Sequence, residues 1–154
     1  MSNNEEKFRR LLAELRLLEG TAETLQNRIN LVRAATTELA FASATIDGIE
    51  EEKDGTPLLV PIGGGSFIKA TVATRETLVV GIGAGVSVEK PRDEAKQIVE
   101  KRITELEKSG NTLQQQLSQV VERIRESRQQ LDEISITLAS RRQANDVRKA
   151  KIGT

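Results

Sequence analysis

The chain has 154 residues and balances 23 Lys and Arg against 23 Asp and Glu, so no net field draws it toward nucleic acid or an anionic membrane. It contains no Cys, His, Trp or Tyr, which excludes a disulfide framework, thiolate catalysis and any Ser–His pair. A globular core of this length draws much of its buried area from aromatics. Here three Phe stand alone among Leu, Ile, Val and Ala, and 30% of residues are charged, a mixture that suits long helices with a narrow apolar seam.

The N-terminal segment opens with Ser2 and Asn3, each three residues before a glutamate (Glu5, Glu6), as a helix start requires. From Phe8 onward one register alternates steps of three and four: Phe8, Leu11, Leu15, Leu18, Ala22, Leu25, Ile29, Val32, Thr36, Leu39, Ser43, Ile46. Ten of these twelve are apolar. A period of 3.5 held that long predicts a left-handed coiled coil. Residues 5–47 would span roughly 65 Å as helix. The acidic stretch from Asp47 to Gly55 ends this helix and, lacking calcium-loop spacing, reads as a solvated helix end.

Four β-rich runs follow: Pro57–Ile62, Phe67–Ala73, Leu78–Ile82 and Val86–Glu89, separated by Gly63-Gly-Gly-Ser66, Thr74-Arg-Glu-Thr77 and Gly83-Ala-Gly85. Two consecutive hairpins are the natural reading. Leu58-Leu59-Val60 and Leu78-Val79-Val80 are apolar on both faces, so one-sided packing on a coil cannot bury them. Short strands with two open edges are marginal alone, and the module therefore needs strands from another chain. Its assembly residues are Leu58, Val60, Ile62, Phe67, Ile68, Leu78, Val79, Val80, Ile82 and Val86.

Pro91 suits a first helical position, with Asp93 and Glu94 in the first turn. The second seam reads Val99, Ile103, Leu106, Gly110, Leu113, Leu117, Val120, Ile124, Ser127, Leu131, Ile134, Leu138. Residues 91–149 would span roughly 88 Å. Gly110 is its weak point, costing on the order of 1 kcal/mol relative to Ala. Two matched seams joined by an insert predict an antiparallel hairpin. One register pairs residues whose numbers sum to 142; a shift by one heptad serves nearly as well. The expected fold is α+β: a long antiparallel coiled-coil hairpin with two β-hairpins between the helices. Its parts are residues 1–50, 56–90 and 91–150.

Several fragments imitate catalytic motifs. Gly81-Ile-Gly83-Ala-Gly85 and Gly63-Gly64-Gly65 lack the Lys-Ser/Thr of a phosphate loop and the strand-to-helix context of a dinucleotide fold, so they are turn glycines. Ser66-Phe-Ile-Lys69 matches S-x-x-K without its partner motifs. We expect no enzyme activity, no cofactor and no metal. The basic tail from Arg141 has two readings, cations complementing a helix C-terminus or RNA contact; the absence of interleaved aromatics favours the first. Residues 1–20 carry no signal-peptide run, and no stretch has the roughly 20 apolar residues of a membrane span, so a cytoplasmic location is expected.

The architecture, together with Leu59-Val-Pro-Ile-Gly-Gly-Gly-Ser-Phe-Ile-Lys69 and Val80-Gly-Ile-Gly-Ala-Gly-Val86, resembles the alpha subunits of the archaeal prefoldins. That resemblance covers nearly the whole chain and rests on two hairpins where the beta class has one. It implies two alpha and four beta subunits in a hexamer, joined by a β-barrel platform. Coiled-coil tips would hold unfolded clients without ATP and pass them to a group II chaperonin. The basic tail after about Leu138 is long for that family. The client-binding residues expected at the distal tip are Phe8, Leu11, Leu12, Leu15, Ile134, Ile136 and Leu138. Leu12 and Ile136 lie off the seam, available to a client or engaged in routine flank packing. A rival reading is a structural scaffold or tether that binds one folded partner.

Overall fold

The structure, a computed structural model, describes residues 3–152; the Ser2 cap lies outside them. The chain runs α1 (Asn3–Glu51), β1 (Pro57–Gly63), β2 (Ser66–Thr71), β3 (Thr77–Gly83), β4 (Val86–Pro91) and α2 (Arg92–Ile152). All twelve seam positions on each helix are buried or half-buried, so the 3.5-residue period decides which face each helix hides. Pro91 is not the first helical residue. It closes β4 opposite Thr77, and the Arg92 amide donates to the Glu76 carbonyl at 2.8 Å, carrying the ladder one residue further. A proline, having no amide to contribute, is tolerated at that strand end.

Two compact units divide the chain, Met1–Asn30 with Asn111–Thr154, and Leu31–Gly110. In the first, Leu11, Leu131 and Ile134 form a buried cluster packed by Phe8, Leu12, Leu15 and Leu138. Glu14 pairs with Arg123 and Glu19 with Arg128, both at 2.7 Å. Their number sums are 137 and 147, which bracket 142. Exposed pairs of this kind are worth about 0.2–1 kcal/mol each, so they report the register more than they stabilise it. In the second unit a Cβ on Gly110 would meet Val32 Cγ1 at 3.4 Å, and Arg92 pairs with Glu50 at 3.2 Å. Both pairs sum to 142, which selects that register over its heptad-shifted alternative.

The hairpins are two separate two-stranded antiparallel sheets, β1–β2 and β3–β4, so four strand edges are open in this chain where two were expected. They repeat at an offset of 20 residues. Pro57↔Thr71 becomes Thr77↔Pro91, Val60↔Ile68 becomes Val80↔Val88, and each hairpin has a bulge, at Ile62 and at Ile82. The tight turns place Gly64 and Gly65 at φ 59° and 73°, and Ala84 and Gly85 at φ 51° and 74°. Two consecutive positive φ values suit the twist of a two-residue hairpin loop.

Gly110 sits on the seam, where a methyl group has ordinary van der Waals room against Val32. Replacing it with alanine removes backbone freedom from the unfolded chain and adds apolar contact. We expect Gly110→Ala to stabilise the coil by roughly 0.5–1 kcal/mol, read as a higher melting temperature by circular dichroism. A lower one would mean that the helices need glycine there for close approach.

Candidate functional site

The equivalent faces of the two hairpins have different fates. In β3–β4, cross-strand neighbours Val80 and Val88, with Leu78, turn toward the coil and close a cluster with Ile46, Ala95 and Val99. Val80 is only 8% exposed, whereas Val79, on the opposite face, is 74% exposed. Of the residues expected to drive assembly, Val80 is therefore intramolecular core, with half-buried Leu78 beside it. In β1–β2 the corresponding face carries Val60 and Ile68, both exposed, and the reverse face carries Leu59, Pro61 and Phe67, exposed as well. Ile62, Ile82 and Val86 are also exposed, and Leu58 is half-buried. Leu59 belongs to the doubly apolar run singled out in the sequence but was not among the expected assembly residues, and its exposure places it with them. A shallow groove of about 360 Å³ between β3 and the two helices is floored by Ala42, Ile46, Ala95 and Val99.

What aims this surface is the short linker between the hairpins. α1 has no basic residue in its last turn. Arg75 supplies one from the linker, its guanidinium donating to the carbonyls of Glu50 at 3.3 Å and Glu52 at 3.0 Å. The Arg75 amide donates to Asp54 Oδ1 at 2.9 Å. Cationic donors at terminal carbonyls satisfy groups that have no intrahelical partner. The Val72 backbone pairs with Gly55 and Thr56, and the Glu76 carbonyl takes the first amide of α2. Both helix ends are thereby tied to one five-residue stretch. The acids of the run are exposed, as expected of a solvated helix end, and three of them also have partners: Asp47 accepts from Lys96, Glu50 pairs with Arg92, and Asp54 holds Arg75. The hydrogen bond that Lys96 donates to Asp47 raises the Lys96 pKa above its usual value. No group of residues that could hold a metal ion occurs among the described residues.

The terminal end of the first unit holds the second set. Leu11 and Ile134 are buried, and Phe8, Leu12, Leu15 and Leu138 are half-buried around them, so Leu12 packs on the cluster it flanks. Ile136 is 68% exposed and contributes nothing to that packing. Leu17 and Val121 in this unit, and Leu31 and Phe41 in the other, are exposed too. Seam-based reading passed over them because they fall off the 3.5-residue stripe.

Two long helices bracketing a pair of β-hairpins, with apolar strand faces left open, define a coiled-coil subunit of an oligomeric protein. The sequence model of the "Prefoldin subunit" family matches residues 18–137. The prefoldin subunit alpha of Thermofilum pendens is 35% identical over 117 residues, covering 76% of this chain and 91% of that protein. That of Methanopyrus kandleri is 34% identical over 113 residues, covering 73% and 72%. A chain of the filamentous PFD from Methanocaldococcus jannaschii, solved by cryo-electron microscopy, shares the fold with a TM-score of 0.63 at 24% identity. It covers 73% of this chain, which covers 93% of it. The chain belongs to the prefoldin family, among its alpha subunits. It is thus a chaperone-type subunit whose partners are other prefoldin subunits. No described helix is long and apolar enough to cross a membrane.

Substitutions at Val79 and Val80 test whether assembly is separable from folding. Val79→Asp, on an exposed face, should leave helicity and unfolding unchanged while weakening association with partner subunits, read by mass photometry. Val80→Asp should destabilise the chain by about 3 kcal/mol, because it buries an unpaired carboxylate. Intact assembly in the Val79 variant would remove the β3 face from the interface.

Proposed function

We propose that this chain is the alpha-type subunit of an ATP-independent holdase. Its β-hairpins join strands of beta-class subunits, two alpha to four beta, in a shared platform. The coil ends capture unfolded polypeptide in the cytoplasm and deliver it to a group II chaperonin. The observation that carries this reading is the terminal cluster around Leu11, Leu131 and Ile134. It is apolar beyond what one seam requires, half-open at Phe8, Leu12, Leu15 and Leu138, and flanked by exposed Ile136. Adaptable apolar surface of this kind holds diverse clients weakly, and several such grips on one chain multiply.

The test removes the grip and keeps the assembly. Deleting residues 1–12 and 134–154 leaves a seam from Leu15 to Ile46 against Val99 to Leu131, about four to five heptads, enough to fold. The complex should persist while suppression of denatured-client aggregation falls sharply, and Leu12→Ser with Ile136→Ser should give an intermediate loss. Equal protection by the intact and trimmed complexes would place the grip elsewhere. A tether for one folded partner would protect no denatured client in either form.

A further inference from the structure

Neither the seam nor the hairpins use the last stretch of α2. In the 142 register Ala139 faces Asn3, so beyond it no described residue of α1 lies opposite, and every described residue from Ala139 to Lys151 is exposed. That stretch carries Arg141, Arg142, Arg148, Lys149 and Lys151 against Asp146, five charges minus one, in a chain of net charge zero. None of the five pairs with a described acid, whereas Arg123, Arg125 and Arg128 of the same helix all do. Lys149 and Lys151 sit in the last turn, where the helix dipole accounts for them. Arg141 and Arg142 lie more than two turns earlier, where that effect has died away. A shallow groove of about 390 Å³ adjoins them, with Phe8, Leu138 and Ala139 as its apolar lining and Glu5, Arg9 and Arg142 as its charged lining. The prefoldin match ends at residue 137, so the stretch lies outside what the family model covers.

We propose that this cationic helix end, with the Phe8–Leu138 groove beside it, selects acidic segments of unfolded polypeptide that carry apolar side chains. The inference rests on the holdase reading and names the client class. Arginine forks match carboxylates in geometry, and the apolar lining takes the neighbouring side chain. A flexible acidic segment engages several cations at once, so individually weak surface pairs combine to about tenfold in affinity. Carboxylates suit the site better than RNA, because the tail carries no aromatic to stack a base and Phe8, the groove's one aromatic, is half-buried against the Leu11–Ile134 cluster.

The experiment uses the full-length chain assembled with its prefoldin partners and fluorescence anisotropy. The probes are three unstructured peptides with identical Leu and Phe positions and Glu, Gln or Lys between them, and an oligouridylate of equal length. The Glu peptide should bind about tenfold tighter than the Gln peptide near 0.1 M salt. The difference should vanish near 1 M salt, where the Debye length falls from about 10 Å to about 3 Å. It should also vanish in Arg141→Gln/Arg142→Gln/Arg148→Gln, which keeps good helix formers and the last-turn lysines, with Gln-peptide affinity unchanged. The corresponding triple Arg→Lys variant should retain most of the preference. Equal binding of Glu and Gln peptides, a preference that survives the Gln variant, or tighter binding of oligouridylate than of the Glu peptide would overturn the proposal. Failure to bind the Gln peptide at all would instead count against the holdase reading, with the Glu-against-Lys comparison still deciding the charge preference.

Discussion

The contact of Leu78, Val80 and Val88 with Ile46, Ala95 and Val99 sets how much of the β module one chain can bury. A two-helix coil has one seam, and where the seam meets the hairpins it covers one face of one of them. The reverse face of β3–β4 and both faces of β1–β2 remain open, with Val79, Leu59, Phe67 and Ile68 more than half exposed. At roughly 25 cal/mol per Å² such surface favours association strongly, and the open edges of two-stranded sheets add unpaired backbone groups. This shortage of cover is the physical ground for the proposed assembly through the hairpins.

The linker converts a floppy insert into an aimed one. Without Arg75 the last carbonyls of α1 would face water, and the hairpins would hang from a glycine-containing turn. With it, the end of α1, the start of α2 and both hairpins meet at Val72–Glu76. Arg92 lies in the same knot, paired to Glu50 and Asp93, with its Nε buried and unpartnered. Such a buried donor costs free energy, which the surrounding ion pairs offset in part. Beside β3, the same helices that carry the hairpins line a shallow groove with Ala42, Ile46, Ala95 and Val99.

Much of this was legible in the residues. The 3.5-residue stripe named every seam position, because a coil hides a single narrow face and only aliphatic repetition can mark it. The register was not legible there: two alignments one heptad apart served nearly equally, and the Val32–Gly110 and Glu50–Arg92 contacts decide between them. Pattern could not tell Val79 from Val80: both are β-formers in one apolar run, and only the seat on the coil separates them. Nor could it find Arg75 as the cap of a helix ending more than twenty residues earlier, or the partners of Asp47, Glu50 and Asp54, since such contacts have no local signature. Leu17, Leu31 and Phe41 went unread because nothing periodic marks an apolar residue that the monomer leaves in water. At the terminal end, composition foretold a basic tail, but not that its cations would meet no described acid.

Hydrogen exchange tests the claim of incomplete burial most directly. The isolated chain, kept monomeric by dilution, should protect the amides of β3 and β4 that sit over the coil, while those of β1 and β2 exchange at nearly free-chain rates. On assembly with partner subunits, the β1–β2 amides should slow on the order of a hundredfold or more. Strong protection of β1–β2 in the monomer, unchanged on assembly, would contradict the account, for it would mean that one chain satisfies both hairpins by itself.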